Sequence, residues 1–452
     1  MKKSSILFLY IFSILLPGVF SQASQAQAKP IPHVEWSRNA TIYEVNIRQF
    51  TPEGSFKAFE KHLPRLQSMG VGILWLMPIN PLGEKNRKGS LGSYYSVRDY
   101  LAVNPEYGTL QDFKELVKKA HDLNMKVIVD WVANHTSWDN PLIIAHPDWY
   151  KKDAKGNIVS PVADWTDVAA LDFTNNGLRK YMTDALSYWI RETDIDGYRC
   201  DVAGMVPEDY WNKAIPELRK MKPIFMLAED ESPKMHDTAF DATYAWDFHH
   251  LMNNIAKGKM TADKIDSLYT AEQKRFPADA YRMRFTSNHD ENSWQGTEYE
   301  RMGAAAKTFA VLTFTFPGIP LVYSGQESAM NKRLRFFDKD TIPWGNYPLN
   351  DFYTKLAALK KKYSLLDAGN AGGTFVKVPT SNDKTVYAFM RMRGKDKVFV
   401  LLNMSAEAIS VQLLGKECPG RYIELFSGEK KVFVQDELVK LGPWQYFVYT
   451  GN

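Results

Sequence analysis

Three carboxylic acids each follow a short run of strand-forming residues in this chain of 452 residues. Asp201 follows the run GYRC, Glu229 follows FMLA, and Asp290 follows FTSNH. If these runs are parallel strands of one barrel, their carboxyl ends share a face and the three side chains meet there. Carboxyl groups in such a cluster can divide the roles of nucleophile and general acid/base. For any one of them alone, a helix cap or a surface ion pair is the better explanation, and only their joint placement favours a site.

An arginine strengthens the interpretation of Asp201 as a nucleophile. Arg199 lies two residues earlier on the same strand, so both side chains project from one face and can interact. A guanidinium beside a carboxylate favours its ionised form. Glu229 instead ends an apolar strand, where a partly dry site raises a carboxyl pKa toward the range of a general acid. Its neighbour Asp230 is expected to point to the opposite face and to leave the site.

The elements that must position these residues form a (β/α)8 barrel. From about residue 41 to residue 366, short β-like runs alternate with longer helical periods, which is typical of βα units. Several runs are continuously apolar, as parallel strands buried on both faces should be. Eight runs close a barrel, and they begin near Ile42, Ile73, Val127, Gly197, Ile224, Ala242, Met283 and Ile319.

Two of the intervening helices have clear sequence signals. Thr109 is predicted as an N-cap, with Asp112 three residues later and an apolar face that begins at Phe113. A second helix is predicted from Gly177 to Thr193, with an apolar stripe that would pack on the barrel.

Two segments do not follow the alternation of strands and helices, and each predicts a further domain. About forty residues rich in Pro, Asp, Asn and Trp follow the third strand, which is too long for a plain βα loop. We predict an excursion domain there, on the C-terminal face of the barrel. After residue 366, short strands separated by polar turns predict a β-sandwich. The predicted boundaries are 29–135 and 175–366 for the barrel, 136–174 for the excursion and 367–452 for the sandwich.

The first 28 residues are predicted to be a signal peptide. Lys2 and Lys3 precede an apolar run at 6–20, and the small-residue pattern AQA follows at 26–28. Cleavage would leave a protein that begins at Lys29 and is secreted or periplasmic, without stable membrane insertion. An uncleaved anchor is the alternative, disfavoured because the apolar run is short. No Cys follows the run, which disfavours a lipoprotein anchor.

The composition argues against a disordered chain, a nucleic-acid-binding protein and a disulfide-stabilised protein. With 45% hydrophobic and 24% charged residues, the chain is expected to be globular. The net charge of +4 comes from scattered Lys and Arg, without the basic stripe of a nucleic-acid binder, so no nucleic-acid partner is expected. Only Cys200 and Cys418 are present, so no disulfide framework is expected, and Cys200 is predicted to be buried in its strand.

Further runs make a specific pattern, in order along the chain. They are IYEV at 42–45, GILWLMP at 72–78, YSVRDY at 95–100, DWVANH at 130–135 and GIPLVYSGQE at 318–327. With the three carboxylate motifs, they show that the chain resembles the α-amylase family, glycoside hydrolase family 13. The resemblance covers nearly the whole mature chain.

The resemblance implies roles for the residues that could do chemistry. Asp201 is then the nucleophile, Glu229 the acid/base, and Asp290 the carboxylate that grips sugar hydroxyls and favours the distorted transition state. Arg199 would hold Asp201 ionised, and Asp130 matches the position that orients this arginine. In a retaining glycosidase the two acting carboxyl groups lie about 5 to 5.5 Å apart.

The resemblance also implies a shell that binds the sugar. His135 and His289 match histidines that hydrogen-bond the sugar in the subsite where cleavage occurs. Tyr95 matches the aromatic platform beneath that sugar, with Tyr94 as the alternative. Five tryptophans are candidates to extend the platform, although core packing explains each of them at least as well: Trp131, Trp138, Trp149, Trp165 and Trp294.

The chain departs from the family pattern after the nucleophile, and this departure also weakens the prediction of a calcium site. Many relatives have a Lys-His pair a few residues after the nucleophile, on the leaving-group side, but this chain reads VAGM at 202–205. A long-chain, endo-acting mode is therefore not assumed. A structural Ca²⁺ is a candidate cofactor. The resemblance identifies only Asn134 as a ligand, whereas a hard cation binds several oxygen atoms. The chemistry itself requires no cofactor.

The implied activity is hydrolysis of α-glucans such as starch, maltodextrin or maltooligosaccharides by a secreted retaining enzyme. A transglycosylase or isomerase that converts trehalose or sucrose is the first alternative, because it shares the covalent intermediate. A non-catalytic sugar-binding or partner subunit is the second, disfavoured because all three carboxylates, Arg199 and both histidines are present. Linkage preference and endo or exo action stay open.

Overall fold

The computed structural model describes residues 33–451, so the predicted signal peptide lies outside the described residues. Eight parallel strands close into a barrel in which each pairs with its neighbours along the chain and the last pairs with the first. Each begins within two residues of its predicted start, which confirms the (β/α)8 fold. The strands are β1 (Ile42–Val45), β2 (Ile73–Leu76), β3 (Lys126–Trp131), β4 (Gly197–Cys200), β5 (Phe225–Ala228), β6 (Ala242–Tyr244), β7 (Tyr281–Arg284) and β8 (Ile319–Tyr323).

The strand register brings polar residues together inside the barrel. Asp130 on β3 lies directly opposite Arg199 on β4. Alternate residues of neighbouring strands, such as Trp75 and Ile128, belong to one buried apolar cluster, as expected when every second side chain faces the barrel interior. The carboxylates predicted for the site come after the carboxyl ends of β4, β5 and β7.

The longer helices of the barrel bury apolar faces, as Leu110–Asp122 and Asn176–Thr193 do. Leu110–Asp122 has the predicted capping box, in which Thr109 Oγ1 accepts from the Asp112 N–H and Asp112 Oδ2 accepts from the Thr109 N–H. The helix predicted from Gly177 begins one residue earlier, because Asn175 caps it. The helices of the described chain are Ile47–Phe50, Phe56–Glu60, Leu63–Met69, Leu110–Asp122, Leu142–Ala145, Asn176–Thr193, Glu208–Met221, Trp246–Ala256, Lys264–Arg275, Glu298–Met302, Ala306–Thr315 and Asn350–Lys362. None of these helices is long and apolar enough to span a bilayer.

The excursion between β3 and β4 is a small structure of its own. Two short strands, His135–Ser137 and Val168–Ala170, pair antiparallel. Between them lie the short helix Leu142–Ala145 and a 3-10 turn at Pro147–Trp149. The pairing holds this loop over the carboxyl end of the barrel, since His135 follows shortly after β3.

The C-terminal segment is all-β, as the sequence predicts. Its strands are β9 (Thr374–Val378), β10 (Val386–Arg393), β11 (Asp396–Asn403), β12 (Ile409–Gln412), β13 (Gly420–Glu424), β14 (Lys430–Phe433), β15 (Leu438–Leu441) and β16 (Tyr446–Gly451). Six of them form an antiparallel sheet in the order β9-β10-β11-β16-β13-β14, and β12 pairs with β15. Side chains from both sheets, such as Phe399 and Leu441, share one buried cluster that also contains Cys418. Cys200 and Cys418 are both buried and unbridged.

Candidate active site

A cavity of about 640 Å³ opens at the carboxyl end of the barrel. Two of the residues predicted for the site, Arg199 and Asp130, have fully buried side chains. A third, Asn134, is also buried. The structure brings the other six predicted residues together in the cavity wall: Tyr95, His135, Asp201, Glu229, His289 and Asp290.

The Arg199 guanidinium connects the carboxylates of the site. Its Nη1 donates to Asp130 at 2.8 Å and to Asp201 at 3.0 Å. Its Nη2 lies 2.8 Å from Glu229 Oε2. Its Nε donates to the hydroxyl of Tyr244 at 3.2 Å. Asp201 and Glu229 are therefore held side by side, each by a different nitrogen of the same planar guanidinium. Two carboxyl groups must lie close together in this way to act on one glycosidic bond.

Charge sharing within this cluster changes the expected protonation of Asp201. Burial raises the pKa of Asp201 well above its usual range, Arg199 opposes the rise, and the nearby charges of Glu229 and Asp130 add to it. Burial likewise raises the pKa of Asp130 to about 6. Arg199 favours the ionised form of Asp201, but its one guanidinium serves three carboxyl groups. Before substrate binds, the cluster therefore retains protons at a pH where isolated carboxyls would be ionised.

A second ion pair forms around Asp290. Its Oδ2 lies 3.3 Å from His289 Nε2, and His289 Nδ1 contacts the buried carboxylate of Glu44 on β1. Burial disfavours the charged imidazole, but Asp290 and Glu44 outweigh it and raise the pKa of His289 well above its usual value. Although burial opposes ionisation of Asp290, His289 lowers its pKa below the usual value. Asp290 is therefore an anion at neutral pH, able to accept hydrogen bonds.

The peptide after Asp201 contributes a donor that sequence reasoning missed. The Val202 N–H donates to Glu229 Oε2 at 2.7 Å. To present this N–H, Val202 adopts a left-handed conformation with φ of +36°, which costs a β-branched residue on the order of 1–3 kcal/mol. No sequence signal marks Val202, because valine normally disfavours this conformation.

The segment 202–205 contacts Asp230 and also lacks the Lys-His pair that many relatives have on the leaving-group side. Asp230 does not line the cavity, in agreement with the expectation that it leaves the site. A Cβ added to Gly204 would lie 2.0 Å from Asp230 Oδ2. In the segment that lacks the Lys-His pair, a side chain at residue 204 would therefore require the Asp230 side chain to move.

Aromatic rings cover the cavity walls. Tyr95 lines the cavity and stacks on Phe336, with ring centroids 6.2 Å apart. Its hydroxyl donates to Asp130 at 3.1 Å and lies 2.8 Å from His289 Nε2. Tyr94 is buried outside the cavity, beneath the guanidinium of Arg48. Tyr95 rather than Tyr94 is thus placed to form a platform.

The five tryptophans divide between cavity and core. Trp165 and Trp294 line the cavity. Trp131 and Trp149 are buried in the core, and Trp138 donates its indole N–H to a backbone carbonyl of the excursion. The structure adds residues from distant loops that sequence reasoning did not select: Lys88, Asp164, Asp167, Phe336 and Phe337.

One of these residues bridges two loops across the cavity edge. The Lys88 ammonium donates to the Asp164 carbonyl at 2.6 Å and lies 3.3 Å from Asp167 Oδ1. Lys88 is in the loop after β2, whereas both aspartates belong to the excursion. The bridge closes part of the rim and favours a pocket over an open groove.

Among the described residues, the amide nitrogen of Asn134, the candidate calcium ligand, contacts a nitrogen and a sulfur atom. Asn134 Nδ2 lies 3.3 Å from His135 Nδ1 and 3.9 Å from the Met205 sulfur. Between residues 33 and 451, no three His, Cys, Asp or Glu side chains are grouped so as to hold a metal. Calcium takes six to eight oxygen ligands, and its binding at Asn134 stays a prediction.

The architecture and the site together define a class. A closed parallel barrel that carries carboxylates at its carboxyl end, beside a buried arginine and aromatic walls, is the arrangement of barrel glycoside hydrolases.

Comparison with known proteins identifies the family within that class. A family model described as the α-amylase catalytic domain matches residues 15–166 and 163–398, and one described as the maltogenic amylase C-terminal domain matches residues 375–448. The chain belongs to the α-amylase family of glycoside hydrolases, which confirms the resemblance found in its motifs.

Individual relatives agree with this assignment. A maltogenic α-amylase from Thermotoga neapolitana is 32% identical with a TM-score of 0.84, covering 91% of this chain and 98% of that one. An α-amylase from Lactobacillus plantarum is 31% identical with a TM-score of 0.83, covering 92% and 99%. The α-amylase MalA of Haloarcula japonica is 27% identical over 418 residues, and the match spans 87% of this chain but only 60% of that protein.

Proposed function

We propose that this protein hydrolyses α-glucosidic bonds by double displacement, with retention of configuration. The observation that carries the proposal is that Asp201 and Glu229 both contact Arg199 and both line one cavity. Asp201 attacks the anomeric carbon while Glu229 protonates the departing oxygen, which leaves a glycosyl ester on Asp201. Glu229 then removes a proton from the water that hydrolyses the ester.

The contacts of Glu229 indicate which of its oxygens carries the proton. Oε2 accepts the Val202 N–H and lies beside Arg199 Nη2. Both are donors, so Oε2 is the oxygen that they stabilise with negative charge. Oε1 is then the oxygen that holds the acidic proton and delivers it. Double displacement requires a reactive form in which Glu229 carries the proton and Asp201 is ionised, and Arg199 is placed to hold the ionised Asp201.

The remaining residues position the sugar. Asp290 presents an ionised carboxylate to sugar hydroxyls, and His289 fixes its orientation. Burial lowers the pKa of His135 to about 4, so its imidazole is neutral at pH 7. Tyr95 offers a flat face to the C–H surface of the sugar. Every step uses side chains of this chain, and none requires a bound metal.

The proposed substrates are maltooligosaccharides and related short α-glucans. The cavity volume falls within the range of about 300–1,000 Å³ typical of small-molecule sites, and the Lys88 bridge closes part of its rim. The similar proteins include α-amylases and, at 27% identity, a cyclomaltodextrinase of Thermoanaerobacter pseudethanolicus. Transglycosylation of sucrose or trehalose has no specific observation in its favour.

Incubation with a substrate panel tests this function. We expect the mature protein to hydrolyse maltotriose and cyclodextrin faster than starch or pullulan, because a part-closed cavity admits short or looped chains more readily. Products are followed over time by chromatography, with sucrose and trehalose as control substrates. Isomerised or transferred disaccharides as main products from those controls would favour the alternative activity.

We also propose that the protein is secreted or periplasmic, on the basis of the predicted signal peptide. Protein recovered from its native host should have lost residues 1–28 and begin at or near Lys29. Intact mass measurement and N-terminal sequencing check this. A protein that begins at Met1 and fractionates with membranes would replace the signal peptide with an anchor.

A further inference from the structure

A second cavity, of about 490 Å³, lies at the opposite end of the barrel, where the barrel meets the C-terminal sheet. Its walls include Arg282 and Arg284 on β7, the segment 317–318 before β8, and Arg391 on β10. The proposed glycosidase mechanism uses none of these residues. Three arginines but only one carboxylate, that of Glu272, line this cavity.

Arg391 is a buried cation without an acidic partner. Only 2% of its surface is exposed. Within residues 33–451, its side chain donates only to two backbone carbonyls, those of Thr315 at 3.5 Å and Gly373 at 3.3 Å, and its Nε has no hydrogen-bond partner. Burial lowers the pKa of Arg391 to about 10. A charge buried in this way normally has a counter-ion or a group that hydrogen-bonds it.

The charge of Arg391 is offset only in part. Asp367 and Tyr269 oppose the lowering of the Arg391 pKa, but among the described residues no carboxylate forms an ion pair with Arg391, and Glu231 and Glu272 pair with Arg282 and Arg284 instead. Glu272 is shared between Arg282, which donates to it from Nε at 2.8 Å, and Arg284. Nη1 of Arg284 has no hydrogen-bond partner in the described chain. Lys360 is fully buried and bonded to two carbonyls, and burial together with the charge of Arg391 lowers its pKa to about 7.

We propose that this cavity binds a small oxyanion, such as inorganic phosphate or sulfate, with Arg391 as its main contact. A planar guanidinium presents paired donors that match the oxygens of such an anion. The anion would supply a counter-charge in direct contact with Arg391 and occupy the junction between barrel and sheet. Its expected effect is on stability, because the cavity lies at the end of the barrel away from the candidate active site.

Thermal unfolding in phosphate and in chloride tests this proposal. At equal ionic strength and pH, phosphate at 100 times its dissociation constant should raise the Tm of the mature protein by about 3 °C relative to chloride. Arg391→Gln should remove the difference. Arg393→Gln is the matched control, because it removes the same charge two residues away on β10, from a side chain that does not line this cavity. It should keep most of the shift, although Arg393 also donates to the Gly372 carbonyl in the cavity wall.

Three results would overturn the proposal: equal Tm values in phosphate and chloride for the wild type, an unchanged phosphate shift in Arg391→Gln, or equal loss in both variants. The rate of maltotriose hydrolysis reports whether Arg391→Gln is folded, and it should match the wild type. If that variant does not fold, the ³¹P line width of phosphate with the wild-type protein decides. A ³¹P line that the protein broadens and that added sulfate narrows again supports the site. A line that the protein does not broaden contradicts it.

Discussion

Replacing Asp201 with asparagine is expected to lower kcat on maltotriose by on the order of 10⁴-fold or more. An amide nitrogen or oxygen in place of the carboxylate cannot form a stable glycosyl ester, so the first displacement fails. The fold should survive, because Asp201 is one of three carboxyls on a single guanidinium and its burial disfavours its charge. Initial rates and thermal unfolding of the variant measure both effects.

Asp230→Asn is the matched control for this substitution. Asp230 follows Glu229 in the chain but does not line the cavity, and its carboxylate lies against Gly204. Its kcat should stay within the same order of magnitude as the wild type. If Asp201→Asn retained a near wild-type rate, or if both variants lost activity equally, Asp201 would not be the nucleophile.

Glu229→Gln should separate acid catalysis from nucleophilic attack. Hydrolysis of maltotriose should fall by at least about 10²–10⁴-fold, because its leaving oxygen must be protonated. An α-glucosyl fluoride needs little protonation to depart, so the variant should still form the ester on Asp201. Added azide should then release the sugar as a glycosyl azide, since this nucleophile needs no general base.

Asp201→Asn is the control for the azide experiment, because it cannot form the ester and should show no rescue. Product formation from the fluoride is followed with and without azide for both variants. Equal loss on fluoride and oligosaccharide in Glu229→Gln, without azide rescue, would assign the acid/base role to another group.

The barrel and the three carboxylates could be predicted because they depend on local signals. A buried parallel strand is an apolar run, and the residues that end it reach the carboxyl face of any barrel. The Arg199 contact with Asp201 follows from a spacing of two on one strand. The contact with Asp130 follows from the register of β3 and β4.

Other parts of the site depend on closure of the barrel and on loop conformation. Glu44 meets His289 only because β1 and the loop after β7 are brought together when the barrel closes. The Lys88 bridge to the excursion joins loops 76 residues apart. The N–H of Val202 reaches Glu229 through a backbone conformation that valine normally avoids.

The protonation state of Asp201 could not be predicted from the nearby arginine, Arg199, alone. One arginine two residues away suggests an ionised carboxylate, but the pKa depends on how many carboxyls share that arginine and on their burial. Those quantities come from three strands that are distant in sequence. The proposed consequence is a proton held within the cluster until substrate arrives.

The anomeric configuration of the first sugar released by the wild-type protein tests the central claim most directly. Maltooligosaccharide hydrolysis is followed by ¹H NMR in the first minutes, before the product mutarotates. Double displacement through Asp201 inverts the anomeric carbon twice, so the account predicts an α-configured product. A β-configured first product would mean a single displacement by water, and would contradict the assignment of Asp201 as nucleophile.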